Sequence, residues 1–242
     1  MKKLLFVPLL ALTLPSCAQF PKVLKDAADK VAGGGGTSGL TNEDVIAGLK
    51  EALGKGAESS VLKGSALDGF WKNDRIRIPF PAEAEKMKST LNHIGMSKQV
   101  DEFEMTMNRA AEEAAKEALA VLKDAVTGMS VGDGFAILKG GDNAATSYLR
   151  DKTTATLTQR FRPIVEGATK KVALTSYWTP LANGYNQASM ITGGKAVNPD
   201  LDAYVTDRAI QGLFVLIADE EARIRKDPVA RTTELLRRVF GG

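Results

Sequence analysis

Apolar residues recur every three or four positions through most of the chain after Leu40, which is the spacing of one face of an α-helix. The last long segment differs, because residues 213–218 are apolar on every side of the helix. A helix that is apolar all round is surrounded by other helices. The pattern therefore predicts an all-α protein, a bundle of about seven or eight helices, with a buried central helix near residues 200–226.

The boundaries of the other helices follow from capping and breaking residues. Thr41 and an acidic first turn predict one helix start, and Gly54 and Gly56 predict its end. Ser97 is expected to cap a long helix, and Pro228 to end the central one. The predicted ranges are a helix from 42 to about 54, a helix over 82–93, a long helix over 97–129, a short helix around 135–138, a helix from 142 through 161 with a break or kink before 163, an irregular helix over 175–187, a loop over 188–199 and a final amphipathic helix over 230–240.

One stretch, residues 69–81, does not have the helical pattern. Ile76 and Ile78 alternate there with Arg75 and Arg77, and two prolines follow. We expect a short extended connector, with a lone strand-like segment as the alternative, whose arginines point away from the apolar side.

The first residues have the order of an export signal. Lys2 and Lys3 precede an uncharged apolar run, which is too short to span a bilayer and ends at Cys17, the chain's only cysteine. We expect residues 1–16 to be a signal peptide, residues 17–38 a lipid anchor and Gly-rich tether, and residues 39–242 a single all-helical domain. Lipidation of Cys17 would make the chain an outer-membrane lipoprotein facing the periplasm, whereas cleavage after Ala18 would give a soluble periplasmic protein.

Charge and composition narrow the function classes. Loss of Lys2 and Lys3 with the signal lowers the formal net charge from +3 to +1, and nearly balanced charge argues against a nucleic-acid partner. The chain has one histidine, His93, at the end of a predicted helix, and one cysteine. This argues against multi-histidine metal sites and against histidine-based triads with the cysteine or with a serine. We therefore expect no metal and no cofactor.

The carboxylates of the central helix are the sharpest candidates for chemistry. Glu220 continues the buried line of that helix, so it must be paired or protonated. Pairing with an arginine gives it a structural role, and a raised pKa would make it an acid in a cleft. The neighbouring Asp219 and Glu221 lie four residues before Arg223 and Arg225 and predict a solvated, mutually supporting face.

Other polar candidates lie outside the central helix. Arg109 lies about 150° from the alanine stripe of its helix, so it is either solvated or faces a second packed or binding surface. Asp142 follows two glycines at a helix start, which could hold an anion or simply end the preceding helix.

Five blocks of sequence resemble the bacterial DUF4197 family, whose members are typically exported and have no assigned biochemical function. They are "GLKEALGKGAESSV", "GFWKNDRIRIPFP", "MNRAAE", "ILKGGDNAATSYLR" and the segment from "LDAYVTDRA" to "RRVFG". The resemblance implies an all-helical exported domain and brings no catalytic residues. The blocks contain the candidate polar residues Arg77, Asn108, Arg109, Asp142, Arg150 and Glu220.

These observations favour a cell-envelope binding or scaffold protein that holds a hydrophobic or amphipathic ligand or a partner protein, and that meets the membrane only through its lipid anchor. The alternative is an envelope enzyme with Glu220 as acid or base and Arg77 or Arg109 binding an anionic substrate. Assembly into an envelope oligomer is a third hypothesis. The sequence leaves the ligand, the partner and the oligomeric state open.

Overall fold

The computed structural model of the protein describes residues 41–171, 176, 178–193 and 195–226. Eight helices and one 3₁₀ turn, Ala82–Ala84, occupy most of these residues, and the described ranges contain no strand. This confirms the all-α fold. The helices are α1 (Asn42–Ser65), α2 (Glu85–His93), α3 (Ser97–Ala115), α4 (Ala118–Thr127), α5 (Val131–Lys139), α6 (Ala144–Thr169), α7 (Trp178–Thr192) and α8 (Leu201–Lys226).

Helix α8 is the central element. Asp200 caps it by accepting a hydrogen bond from the Ala203 N–H at 2.9 Å, and the helix packs against α1, α3 and α6. Its residues Leu213 and Phe214 are fully buried. The predicted break at Pro228, the terminal helix over 230–240, and the predicted signal peptide, Cys17 anchor and tether all lie outside the described residues.

Helix α1 is longer than expected, because it continues through Gly54 and Gly56 to Ser65. Gly56 faces α8, where an added Cβ would lie 3.6 Å from both Glu220 Cβ and Ile224 Cδ1. The glycine is therefore a contact surface for the central helix rather than a helix end, and tertiary packing outweighs its low helix propensity.

The predicted long helix over 97–129 is in fact two helices, α3 and α4. The N–H groups of Lys116 and Glu117 bond the carbonyls three residues earlier, at 3.3 and 3.0 Å, which interrupts the α-helical pattern. Ser97 is the first helical residue rather than the cap, which is Met96 and makes no side-chain hydrogen bond.

Two further boundaries differ from the prediction. Helix α6 runs through Pro163 to Thr169, supported by the buried side chains of Phe161 and Val165 on either side of the proline. Helix α7 includes residues 188–192, which the sequence predicted as loop, and ends where Gly193 adopts a φ of +73°.

The connector between α1 and α2 is a series of turns that lies against α8. Ile76 and Ile78 are buried and the two arginines face outward, as predicted. The ring of Phe70 packs so closely on α8 that a Cβ added at Gly212 would lie 2.6 Å from Phe70 Cε1. The connector is thus held between the central helix and α3.

None of the described helices is both long and apolar enough to cross a membrane.

Candidate functional site

Glu220 lies where α8 meets the end of α1, and its side chain is almost fully buried. Its Oε1 accepts hydrogen bonds from Lys63 and, at 3.0 Å, from Ser59 of α1. Its Oε2 accepts from Arg223, one turn along α8, at 2.9 and 2.7 Å. Burial alone would raise the pKa of this carboxyl, but the three donors outweigh it and hold the pKa below its ordinary value. The pairing hypothesis is thus supported, and the raised pKa required of a catalytic acid is not found.

Replacing Glu220 with glutamine is expected to lower the free energy of unfolding at pH 7 by about 1 to 3 kcal/mol, because charged hydrogen bonds become neutral ones. The wild-type advantage is present above the unfolded pKa, about 4.3 for glutamate, and is lost as pH falls through the lower pKa of the folded state. Urea unfolding of both proteins at pH 7 and pH 3 measures this. A difference that stays constant or grows at pH 3 would contradict it.

The neighbouring Asp219 does not pair with Arg223 as predicted. Its carboxylate accepts hydrogen bonds from both Nη atoms of Arg75 in the connector, and the bond from Nη2 to Oδ1 is 3.0 Å long. Arg223 pairs with Glu220 instead. An unpaired charge costs more free energy at the buried Glu220 than at the more exposed Asp219.

Arg77 belongs to a second cluster, on α3. Its Nη2 donates to Glu104 Oε2 at 3.0 Å, and its guanidinium lies 4.0 Å from the centre of the Trp71 ring. Lys88 of α2 donates to the other oxygen of Glu104 at 2.6 Å. Both oxygens of this buried carboxylate are therefore occupied, and Arg77 already holds an anion that belongs to the protein.

Asn108 is fully buried one turn after Glu104. Its Oδ1 accepts from the Ile78 N–H at 2.8 Å, and its Nδ2 donates to the carbonyls of Ile78 and Glu104, each at 2.8 Å. The amide pairs with the backbone of the connector as a neighbouring strand would, so Asn108 is a structural clamp.

Arg109 faces a second packed surface, the loop after α1. It donates to Asp68 at 2.5 Å and to Glu112 at 2.6 Å, while Glu112 also accepts from the N–H groups of Phe70 and Trp71, each at 3.1 Å. Hydrogen bonds from Lys72 and Arg109 lower the pKa of Asp68, whose φ is +67°. The hydrogen bond to Glu112, and to a smaller extent the one to Asp68, raises the pKa of Arg109. The network fixes a strained turn.

The helix start after Gly140 and Gly141 does hold an anion, and the anion is Glu221. Its carboxylate accepts from the N–H groups of Ala145 and Thr146 at 3.0 and 2.8 Å, and from the Thr146 hydroxyl at 2.6 Å. Arg225 donates to it at 2.8 Å and to the Ile137 carbonyl at 3.3 Å. The prediction of a solvated Glu221–Arg225 pair was therefore wrong: Glu221 is buried and the Arg225 side chain is only 9% exposed, because the pair closes the N-terminus of α6.

The remaining two candidates, Asp142 and Arg150, lie outside the polar clusters that the described residues form. Asp142 is exposed and does not cap α6, whose cap position is Asn143. Its expected role is taken by Glu221. Arg150 lies with its guanidinium 4.6 Å from the centre of the buried Phe214 ring. Its contribution is to cover the core.

The predicted site residues thus fall into separate clusters rather than one pocket. Sequence reasoning missed three of the buried acids, Glu104, Glu112 and Glu221. Glu104, Asn108 and Glu112 follow one another at intervals of four along α3, which places them on one line of the helix. That polar line beside the alanine stripe was the available signal.

Among the described residues, two open clefts are found outside these clusters. A groove of about 470 Å³ runs between α4 and α6, and a cleft of about 430 Å³ lies beside Trp178 and the N-terminus of α8. An apolar pocket near Ile224 has a volume of about 20 Å³, space for roughly one water. No group of three histidine, cysteine or acidic residues suited to a metal ion occurs in the part of the chain that the structure describes.

Comparison with known proteins gave one match. A family model described as a protein of unknown function (DUF4197) matches residues 39–241. No curated protein and no solved structure matches the chain.

Proposed function

Because the chain belongs to the DUF4197 family, a family of unknown function, we propose from its own geometry that it is a cell-envelope binding or scaffold protein. It acts by holding a protein partner on the surface of its helical bundle. The chemistry of its buried polar residues and the character of its exposed ones support this proposal.

The observation that carries the proposal is that the buried acids are already neutralised within the chain. Glu104, Glu112, Glu220 and Glu221 each accept at least two hydrogen bonds, and each has a cationic partner. An acid or base that works on a substrate needs a free lone pair or proton aimed into a cleft. The four carboxylates instead join helices and loops to one another, which is the work of a rigid scaffold.

The surface carries large aliphatic side chains that are exposed and could contact a partner. Met190 and Ile191 are adjacent near the end of α7 and are 85% and 89% exposed, and Leu62 and Leu67 near the end of α1 are 64% and 78% exposed. Covering large exposed aliphatic side chains with a partner is favourable, because it removes apolar surface from water. The envelope location rests on the sequence, from Lys2 and Lys3 to Cys17.

Cell fractionation combined with site-specific photo-crosslinking tests the proposal. In the native host, wild-type protein should take up a fatty-acid label in the membrane fraction, and Cys17→Ala should lose the label. A photo-reactive residue in place of Ile191 should give a discrete adduct with another envelope protein. Residence in the cytoplasm, or no adduct from any exposed position, would overturn the proposal.

Carriage of a small amphipathic ligand is a second candidate, favoured by the cleft beside Trp178. Pro199 and Leu201 supply apolar surface there, and Asp200 and Lys170 supply charge at its rim. Its volume lies within the range of small-molecule sites. Native mass spectrometry of residues 18–242 before and after denaturation decides: a bound mass that disappears on unfolding favours a carrier, and a clean unliganded chain counts against it.

A further inference from the structure

The groove between α4 and α6 has walls of opposite charge. Glu117 and Asp124 line it from the α4 side, and Lys152 and Arg160 line it from α6. All four side chains belong to exposed residues, and Val121 and Ala125 between them are half-buried. Asp133 at the start of α5 also lines the groove, and its carboxylate accepts hydrogen bonds from Ser130. The result is a groove with a small, partly apolar floor and one acidic and one basic wall.

The two walls do not neutralise each other. None of these four residues forms an ion pair with another of the described residues, although such pairs join acids and bases over much of the remaining surface. The nearby lysines do not neutralise the acids either, since Lys116, which follows α3, pairs with Glu113, and Lys123 of α4 lies 4.0 Å from Glu58. Lys152 interacts with the charge of Asp133 and lies 5.8 Å from the centre of the Tyr148 ring, so it is already engaged in part. Glu117, Asp124 and Arg160 have no such partner among the described residues and are available to a molecule lying between the walls.

The spacing of the charges indicates how long that molecule must be. Glu117 and Asp124 are seven residues apart and Lys152 and Arg160 are eight, so each charged pair spans about 10 to 12 Å along its helix at 1.5 Å per residue. A small zwitterion would reach one end of the groove. A peptide of two or three helical turns would reach both ends and would cover the floor near Val121 and Ala125.

We infer that this groove binds a peptide segment of a partner protein, with basic side chains on the edge facing α4 and acidic side chains on the edge facing α6. The inference rests on the proposed function and adds the site and the chemistry of the partner. Complementary charge on both edges fixes the orientation of the segment and excludes partners with one sign of charge. At one end the Tyr148 hydroxyl donates to the Ala125 carbonyl at 3.4 Å, which ties the two walls together.

The test compares two crosslinking positions in the full-length protein in its native host. One photo-reactive residue replaces Thr156, which is exposed and lines the groove, and another replaces Ile191, which is not among the residues lining the groove. The adduct is mapped by mass spectrometry to a segment of the partner. The same experiment is repeated in Lys152→Glu/Arg160→Glu, which makes both walls acidic.

A matched control carries Lys86→Glu/Lys98→Glu, two exposed lysines of α2 and α3 with the same total charge change. Circular dichroism and melting curves confirm that both variants fold. We expect an adduct from position 156 whose segment has acids and bases on opposite edges. The yield should fall about tenfold in the groove variant and stay unchanged in the control.

The outcomes separate the two proposals. An adduct from position 191 but none from 156, or an adduct from 156 that survives the groove reversal, overturns the groove and leaves the partner proposal intact. No adduct from either position overturns the groove, and no adduct from any exposed position overturns both proposals. A yield that falls equally in the control shows dependence on net charge alone and also overturns the groove.

Discussion

Replacing Glu221 with alanine is expected to lower the free energy of unfolding by about 3 to 5 kcal/mol, the cost of removing one partner of a buried ion pair. The substitution leaves the largely buried Arg225 side chain without its anion, and the N–H groups of Ala145 and Thr146 in the first turn of α6 without an acceptor. Urea denaturation followed by circular dichroism measures the change.

Two variants keep this result interpretable. Glu221→Gln retains an acceptor for the α6 N–H groups and should lose less stability than Glu221→Ala. Glu166→Ala removes a half-exposed acid of α6 that pairs with Lys170, and should leave the unfolding free energy nearly unchanged. An unfolding free energy of Glu221→Ala equal to that of wild type would contradict the stabilising role of Glu221 at the N-terminus of α6.

Replacing Asn108 with alanine should lower the free energy of unfolding by about 2 to 4 kcal/mol, because buried backbone groups lose their partners. The Ile78 N–H and carbonyl are bonded by Asn108 and the connector depends on them. Because that connector carries Arg75 and Arg77, limited trypsin digestion should cut it earlier in the variant than in wild type.

The control for this prediction is Asn92→Ala, an exposed asparagine at the end of α2. It should digest and unfold like wild type. Equal digestion of the Asn108→Ala connector and the wild-type connector would show that the amide is dispensable for holding it.

The periodicity of the sequence was sufficient to predict the helical class and the central helix. The central location of α8 was predictable, because a helix that is apolar on every side must be surrounded by other helices. The end of α1 was not, since Gly56 reads as a helix end locally and acts as a contact surface for α8. Residues 116–117, where the predicted long helix divides, likewise have no local breaker such as proline or glycine.

The candidate site shows the same division between local and distant information. Glu220 was predicted to be buried, and therefore paired or protonated, because its position follows the apolar line of its own helix. Its partner Lys63 and the helix start closed by Glu221 lie more than 70 residues away in the chain. Spacing within one helix therefore predicted a solvated Glu221–Arg225 pair, and only tertiary packing makes that pair internal.

The central claim is that the buried acids hold the bundle together and leave recognition to the surface. Urea denaturation of Glu104→Gln, Glu220→Gln and Glu221→Gln at pH 7 tests it most directly. The account predicts that each variant loses at least about 1 kcal/mol of unfolding free energy, because hydrogen bonds to charged groups contribute about 1.5 to 3 kcal/mol and neutral ones about 1 kcal/mol. Unchanged or increased stability would contradict it, because that is the behaviour of a catalytic group kept at the expense of stability.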